Sequence, residues 1–137
     1  MIYLDSAALV KLVRHESASG ELAAWLGHRS EQARVSSVLV EIEVPRAVRR
    51  RLPAALARVP LVLASVNCLE LDSGIRAAAA ALPDPLLGSL DAVHLATAQV
   101  LQARLSAFVS YDRRLLAAAA AIGLPAESPG LEWGGAA

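Results

Sequence analysis

Cysteine is nearly absent: Cys68 stands alone in 137 residues. One thiol allows no internal disulfide and no cysteine-based zinc site. Lysine is equally scarce, since all thirteen basic residues except Lys11 are arginine. Guanidinium groups suit bidentate phosphate contact, although the base composition of the gene would give the same ratio. Thirteen acidic residues balance the thirteen basic ones, so the net charge is zero. That excludes a global cationic field for nucleic acid and leaves only a local patch. Long apolar runs are missing too. The longest is Leu115–Ile122, far short of the ~20 residues that cross a bilayer, despite a mean hydropathy of +0.46. Met1-Ile2-Tyr3-Leu4-Asp5 has no basic region followed by an apolar stretch. No secretory signal is expected, and the cytoplasm is the expected compartment.

Hydrophobic residues make up 55% of the chain and charged residues 19%, against about 25% charged in an ordinary domain. That composition excludes a disordered, collagen-like or coiled-coil chain. The length fits one domain, expected over residues 1–128, with a flexible tail over 129–137 on which Trp133 has a chance to dock. The apolar excess points to a partner surface.

Short β-rich runs alternate with longer helical ones. Strands are expected at Ile2–Leu4, Arg34–Ser36, Leu61–Ser65, Ala107–Ser110 and Pro125–Glu127. Helices are expected at Ser6–Val13, Ser17–Gly27, Ser37–Arg51, Pro53–Arg58, Cys68–Leu82, Ser89–Ala103 and Asp112–Ile122. Ser89–Ala103 is so apolar that burial is expected throughout. The alternation predicts an α/β fold: a three-layer α/β/α sandwich around a central parallel sheet of about five short strands. Ligands of such sheets bind at the carboxyl ends of the strands.

Acidic residues fall at those ends. Asp5 follows the first strand and Asp112 the fourth, and either would serve as a helix N-cap. Asp91 begins a helix beside Leu90, Ala92 and Val93, where a desolvated carboxylate needs a partner or an ion. Glu41 and Glu43 are harder to rank. Val38, Val40, Ile42 and Val44 alternate as a strand would. On a helix, a stripe of Val38, Ile42, Pro45, Val48 and Leu52 puts Glu41 nearer the core than Glu43. Several carboxylates without a matching Lys or His suit hard divalent cations. One or two such ions activate water and stabilise the leaving oxygen in phosphodiester cleavage. His94, one turn after Asp91, is read as a core histidine or a support for a ligand, not a ligand. Arg46, Arg49, Arg50 and Arg51 are the densest basic cluster, either a solvated helix face or a rail for an RNA backbone.

Four segments recur in a familiar order and spacing: Tyr3-Leu4-Asp5-Ser6-Ala7-Ala8-Leu9-Val10-Lys11-Leu12, Glu43-Val44-Pro45-Arg46-Ala47, Leu90-Asp91-Ala92-Val93-His94-Leu95-Ala96-Thr97-Ala98 and Ser110-Tyr111-Asp112-Arg113-Arg114-Leu115. Together they resemble PIN-domain ribonucleases, specifically the VapC-like toxins of bacterial type II toxin–antitoxin pairs. The resemblance runs from about Ile2 to Glu127. It implies an endoribonuclease dependent on Mg²⁺ or Mn²⁺. It implies that Asp5, Glu43, Asp91 and Asp112 form the metal site, and it selects Glu43 over Glu41. Asp5 and Asp91 are implied as the principal ligands, with Glu43 and Asp112 binding directly or through water. Ser6 and Ser110 are implied as hydrogen-bonding supports. A homodimer, a cognate VapB-like antitoxin and an RNA substrate are implied as partners, with no membrane. The chain departs from the family at Ala7, where Ser or Asn is usual, and Pro45 should displace or kink the start of its helix.

Two other classes remain open on the residues. One is a phosphate-handling α/β enzyme with Asp5 as phospho-acceptor. The other is a PIN fold that has lost catalysis and survives as a binding subunit.

Overall fold

The computed structural model describes residues 1–134. The element order is β1 (Ile2–Leu4), α1 (Ser6–Val13), α2 (Ser19–Gly27), β2 (Arg34–Ser37), α3 (Val40–Arg51), a 3-10 helix (Pro53–Arg58) and α4 (Val59–Ala64). There follow β3 (Asn67–Leu69), α5 (Ser73–Ala80), α6 (Ser89–Val100), a 3-10 turn (Gln102–Arg104), β4 (Ala107–Val109), α7 (Arg113–Ala121) and β5 (Ala126–Glu127). All strand pairs are parallel, in the order β3-β2-β1-β4-β5. The sheet grows outward from β1 in both directions, so β1 and β4 flank the point where the winding reverses. Open α/β sheets form their ligand crevice there.

The central strands β1 and β4 are apolar on both faces because helices cover both faces. Along β1, Ile2 and Leu4 join Ala8, Leu9, Val13, Leu22 and Val48 on one side, while Tyr3 points to the other. Along β4, Ala107 and Val109 share the first side, and Phe108 joins Tyr3, Leu95, Leu101 and Leu115 on the second. This period of two splits the interior into two cores separated by the sheet. The expected three-layer α/β/α architecture is therefore present.

Two expected elements are displaced. Leu61–Ser65 is not a strand; it falls mostly within α4, which has Pro60 in its first turn. A short apolar run fits either state, and proline at the first turn favours the helix. The third strand is Asn67–Leu69, overlapping the start of the expected helix Cys68–Leu82. The helix there begins only at Ser73, where the Asp72 carboxylate accepts from Ile75 N at 2.8 Å. The other elements stand where the sequence places them, with ends shifted by a few residues. The helix expected from Ser17 starts after Ala18, which has φ +70°. α6 is not buried throughout, since Leu90 and Val100 are about half exposed. It also stops at Val100, before a turn through Gln102 at φ +48°.

The segment after β5 packs on the β4–α7 junction. Ser128 Oγ donates to Ser110 O at 2.8 Å, Tyr111 Oη to Pro129 O at 2.7 Å and Arg113 Nη1 to Glu132 O at 2.7 Å. Residues 135–137 of the expected tail lie outside the described residues.

Candidate active site

Asp5 ends β1 and caps α1. Its Oδ1 accepts from Ala8 N at 2.9 Å, and its Oδ2 accepts from the Ser110 hydroxyl. Asp5 is buried. Removal from water pushes its carboxyl up to about 6, against the opposing pull of His94, Ser110 and the Ala8 N–H. Ser110 follows β4 and is itself buried; its Oγ also accepts from Asp112 N at 3.1 Å. Asp112 then caps α7, its Oδ1 accepting from Arg114 N at 2.9 Å and Leu115 N at 3.2 Å. The capping expected of Asp5 and Asp112 is real, and it coexists with a shared location at the sheet edge.

Glu43 comes from α3. Pro45 lies inside that helix and offers no N–H to the Glu41 carbonyl. The helix starts at Val40, later than the expected Ser37, after a turn in which Ser37 Oγ accepts from Leu39 N. Glu43 therefore sits in the first turn. The buried stripe is Val40, Val44 and Val48, and Ile42 is 62% exposed. The helical stripe of Val38, Ile42, Pro45, Val48 and Leu52 is thereby corrected, and with it the ranking that put Glu41 inward. Glu41 is exposed. Glu43 Oε1 instead meets His94 Nε2 at 2.7 Å.

Asp91 is in the first turn of α6, and among the described residues it has no ion pair. Its carboxyl is raised by partial burial and by the charges of Asp112 and Glu43, with His94 opposing. The four acids thus lie close enough for their fields to overlap: Asp112 and Glu43 act on Asp91, and Glu43 acts on Asp5.

Glu43, Asp91 and Asp112 border two hollows, while Asp5 lies buried behind them. A cleft of about 720 Å³ is lined by Glu43 and Asp112, by Ser6, Ala7, Val10 and Lys11 of α1, and by Ile42, Arg46, Ala47, Arg50 and Arg51 of α3. Asp91 and Asp112 together line a second hollow of about 410 Å³, so Asp112 belongs to both. The cleft sorts the arginines: Arg46, Arg50 and Arg51 line it and Arg49 does not. Lys11 was not singled out as a site residue, although it shares a face with Ala7 at a spacing of four. Its Nζ lies 3.3 Å from Glu16 Oε1 and 5.1 Å from the centre of the Tyr111 ring. Tyr3 was likewise missed; its partnership with His94 spans 91 positions and leaves no local signal.

The donor set fits a hard divalent ion: overlapping carboxylates, with no cation bonded to Asp5, Asp91 or Asp112 among the described residues. It does not form a closed cage. Among the described residues no three His, Cys, Asp or Glu side chains stand ready around one point. Asp112 Oδ1 is engaged by its helix and Glu43 Oε1 by His94. Mg²⁺ keeps several waters and needs only one or two carboxylates directly, so the arrangement matches a hydrated ion.

Comparison with known proteins agrees with this geometry. The PIN domain family matches residues 2–121. Ribonuclease VapC35 of Mycobacterium tuberculosis is 50% identical over 132 residues, covering 95% of this chain and 98% of that protein. Ribonuclease VapC47 of the same species is 37% identical, covering 95% and 98%. Among solved structures, Mycobacterium tuberculosis VapC20, described as a sarcin-ricin loop cleaving toxin, superposes with a TM-score of 0.69 over 90% of this chain and 96% of that one. At 16% identity that likeness speaks for the fold alone. The chain belongs to the PIN-domain family and, within it, to the VapC ribonucleases.

Proposed function

We propose that this protein is a divalent-metal-dependent endoribonuclease and the toxin of a toxin–antitoxin pair. The observation that carries the reading is the gathering of Asp5, Glu43, Asp91 and Asp112 from four elements at the sheet's reversal point, beside a cationic cleft. Asp5 and Asp91 would be the principal ligands of Mg²⁺ or Mn²⁺, with Glu43 and Asp112 holding it directly or through water. When bound, the ion supplies water activation and charge neutralisation at the scissile phosphate. The chain's own residues do the rest. Ser110 fixes Asp5 and Asp112 relative to each other, Glu43 orients the attacking water, and Arg46, Arg50 and Arg51 hold the RNA backbone along the cleft. The water oxygen bonds to phosphorus and gives up a proton to solvent as the bridging P–O bond breaks, and the leaving oxygen takes up a proton from solvent.

A VapB-like antitoxin and a second copy of the chain are the partners this reading carries, and RNA as substrate puts the work in the cytoplasm. Exposed Ile42 and Leu90 on the cleft wall offer the antitoxin apolar contacts. No described helix is long and apolar enough to cross a membrane. The phospho-acceptor alternative is disfavoured because no second aspartate adjoins Asp5, and Lys11, the sole lysine, lies on α1 beside Glu16 rather than at the end of a later strand. The catalytically impaired alternative is disfavoured because all four acids are present. The test is incubation of the antitoxin-free protein with total RNA and Mn²⁺ against an EDTA control. Metal-dependent cleavage supports the reading, and RNA left intact in both arms removes it.

A further inference from the structure

His94 is 1% exposed on α6, one turn beyond Asp91, and both of its ring nitrogens are engaged. Nδ1 meets the Tyr3 hydroxyl at 2.6 Å, and Nε2 meets Glu43 Oε1 at 2.7 Å. Tyr3 is equally buried; its ring stacks on Phe108 with centroids 5.2 Å apart and planes 7° apart. The chemistry of the three groups assigns the protons. A phenol at neutral pH carries its hydrogen, so Tyr3 donates to Nδ1. Nε2 faces the Glu43 carboxylate, an acceptor, so it carries a hydrogen and donates it there, as it does in this neutral tautomer and in the protonated ring alike. Three elements are joined in this way: β1 two residues before Asp5, α6 three residues after Asp91, and α3 at Glu43.

A buried imidazole is costly unless both nitrogens are satisfied, and a leucine would fill the same volume without that requirement. Glu43 gains from the arrangement. Its side chain is 21% exposed at the cleft, and His94 claims one oxygen while leaving the other for water or an ion. Carboxylates at metal sites are commonly fixed by such outer hydrogen bonds, whose loss costs about 10–100-fold in metal affinity or activity.

We infer that His94 is a positioning residue that fixes the Glu43 carboxylate at the cleft, with the Tyr3 hydroxyl setting the imidazole's tautomer and orientation. This rests on the reading of the carboxylates as an ion site. It makes His94 neither a ligand nor a proton donor to substrate, and it makes Tyr3 part of the active-site architecture.

The test measures Mn²⁺ affinity of the RNA-free protein alongside kcat and KM for RNA cleavage, in wild type, His94→Leu, His94→Gln, Tyr3→Phe, Glu43→Gln and the double variant His94→Leu/Glu43→Gln. His94→Leu should weaken Mn²⁺ binding about 10–100-fold and lower kcat more than it raises KM. His94→Gln can still donate an amide N–H to Glu43, so it should recover most of that loss. Tyr3→Phe keeps the stack on Phe108, and its loss should lie between wild type and His94→Leu. The double variant should be no worse than Glu43→Gln, because His94 acts through Glu43. Wild-type affinity and kcat in a folded His94→Leu would overturn the inference, as would losses in the double variant that simply add. If His94→Leu does not fold, the ranking of His94→Gln and Tyr3→Phe decides: wild-type Mn²⁺ affinity in Tyr3→Phe overturns it. A wild type that neither binds Mn²⁺ nor cleaves RNA overturns the proposed function instead, so the two failures are distinct.

Discussion

The Ser110 hydroxyl, at the end of β4, donates to Asp5 Oδ2 at the end of β1 while accepting from Asp112 N. One small side chain therefore ties the Asp5 carboxylate to the backbone of Asp112, 107 residues away in sequence. Ser110→Ala leaves the buried Asp5 one hydrogen bond short, which should cost about 1–3 kcal/mol of stability. It should also slow RNA cleavage. Ser110→Thr keeps the hydroxyl and should retain most of both. Urea unfolding and cleavage rates check this; an alanine variant equal to wild type in both would remove Ser110 from the site.

Asp5 gives the metal-free protein a defined pH dependence. Its carboxyl is pushed up to about 6 from 3.8, mainly by burial. The folded state thus holds this proton more tightly than the unfolded chain. Its contribution is fully present below about 3.8 and is lost as pH rises through about 6, a change of roughly 3 kcal/mol. Asp91 and His94 are also raised, so both act in the same direction. Asp5→Asn keeps the helix cap without the charge. In EDTA near pH 8 it should melt higher than wild type, with a flatter pH profile. Saturating Mn²⁺ should raise the wild type and move the variant much less. A wild type that gains stability from pH 5 to pH 8 in EDTA would contradict the assignment.

The arginines should separate by whether they line the cleft. Replacing Arg46, Arg50 and Arg51 with glutamine should weaken RNA binding across sequences. It should also lower the slope of log affinity against log salt by about 2, given ~0.7 per phosphate contact on single strands. Arg49→Gln, off the cleft wall, should leave the slope nearly unchanged. Equal effects from all four positions would return the cluster to a solvated face.

Two glycines should respond oppositely to alanine. Gly130 has φ +84°, and a Cβ there would lie 2.8 Å from Glu21 Cβ. Gly130→Ala should destabilise by more than ~1 kcal/mol and loosen the segment that holds Tyr111. Gly20 sits within α2 with nothing near its missing Cβ, so Gly20→Ala should stabilise by about 0.5–1 kcal/mol. Thermal melting distinguishes them, and a stable Gly130→Ala would show that the C-terminal segment is not seated as described.

Much of this was legible in the sequence because β1 and β4 are apolar triplets, each followed within three residues by an aspartate that caps a helix. The strand–helix alternation gave the layers for the same reason. Asn67–Leu69 was not legible: it is a short edge strand with partly exposed side chains, too brief to set up a period. Glu43 was not separable from Glu41 by periodicity, because Pro45 and the turn at Val38–Leu39 set the phase of α3, and the buried stripe follows Val40 rather than Val38. The resemblance supplied what the pattern could not. The link from Glu43 to His94 spans 51 positions and joins two helices, and no local rule encodes it.

In the proposed function the four gathered carboxylates perform metal-dependent RNA cleavage. The direct measurement compares wild type, Asp5→Asn, Asp91→Asn, Glu43→Gln and Glu41→Gln on the same RNA, each with Mn²⁺ and with EDTA. Wild type should cleave only with Mn²⁺, the two aspartate variants should not cleave, and Glu43→Gln should lose far more activity than Glu41→Gln. Full activity in Asp91→Asn, or wild-type cleavage that persists in EDTA, would contradict the account.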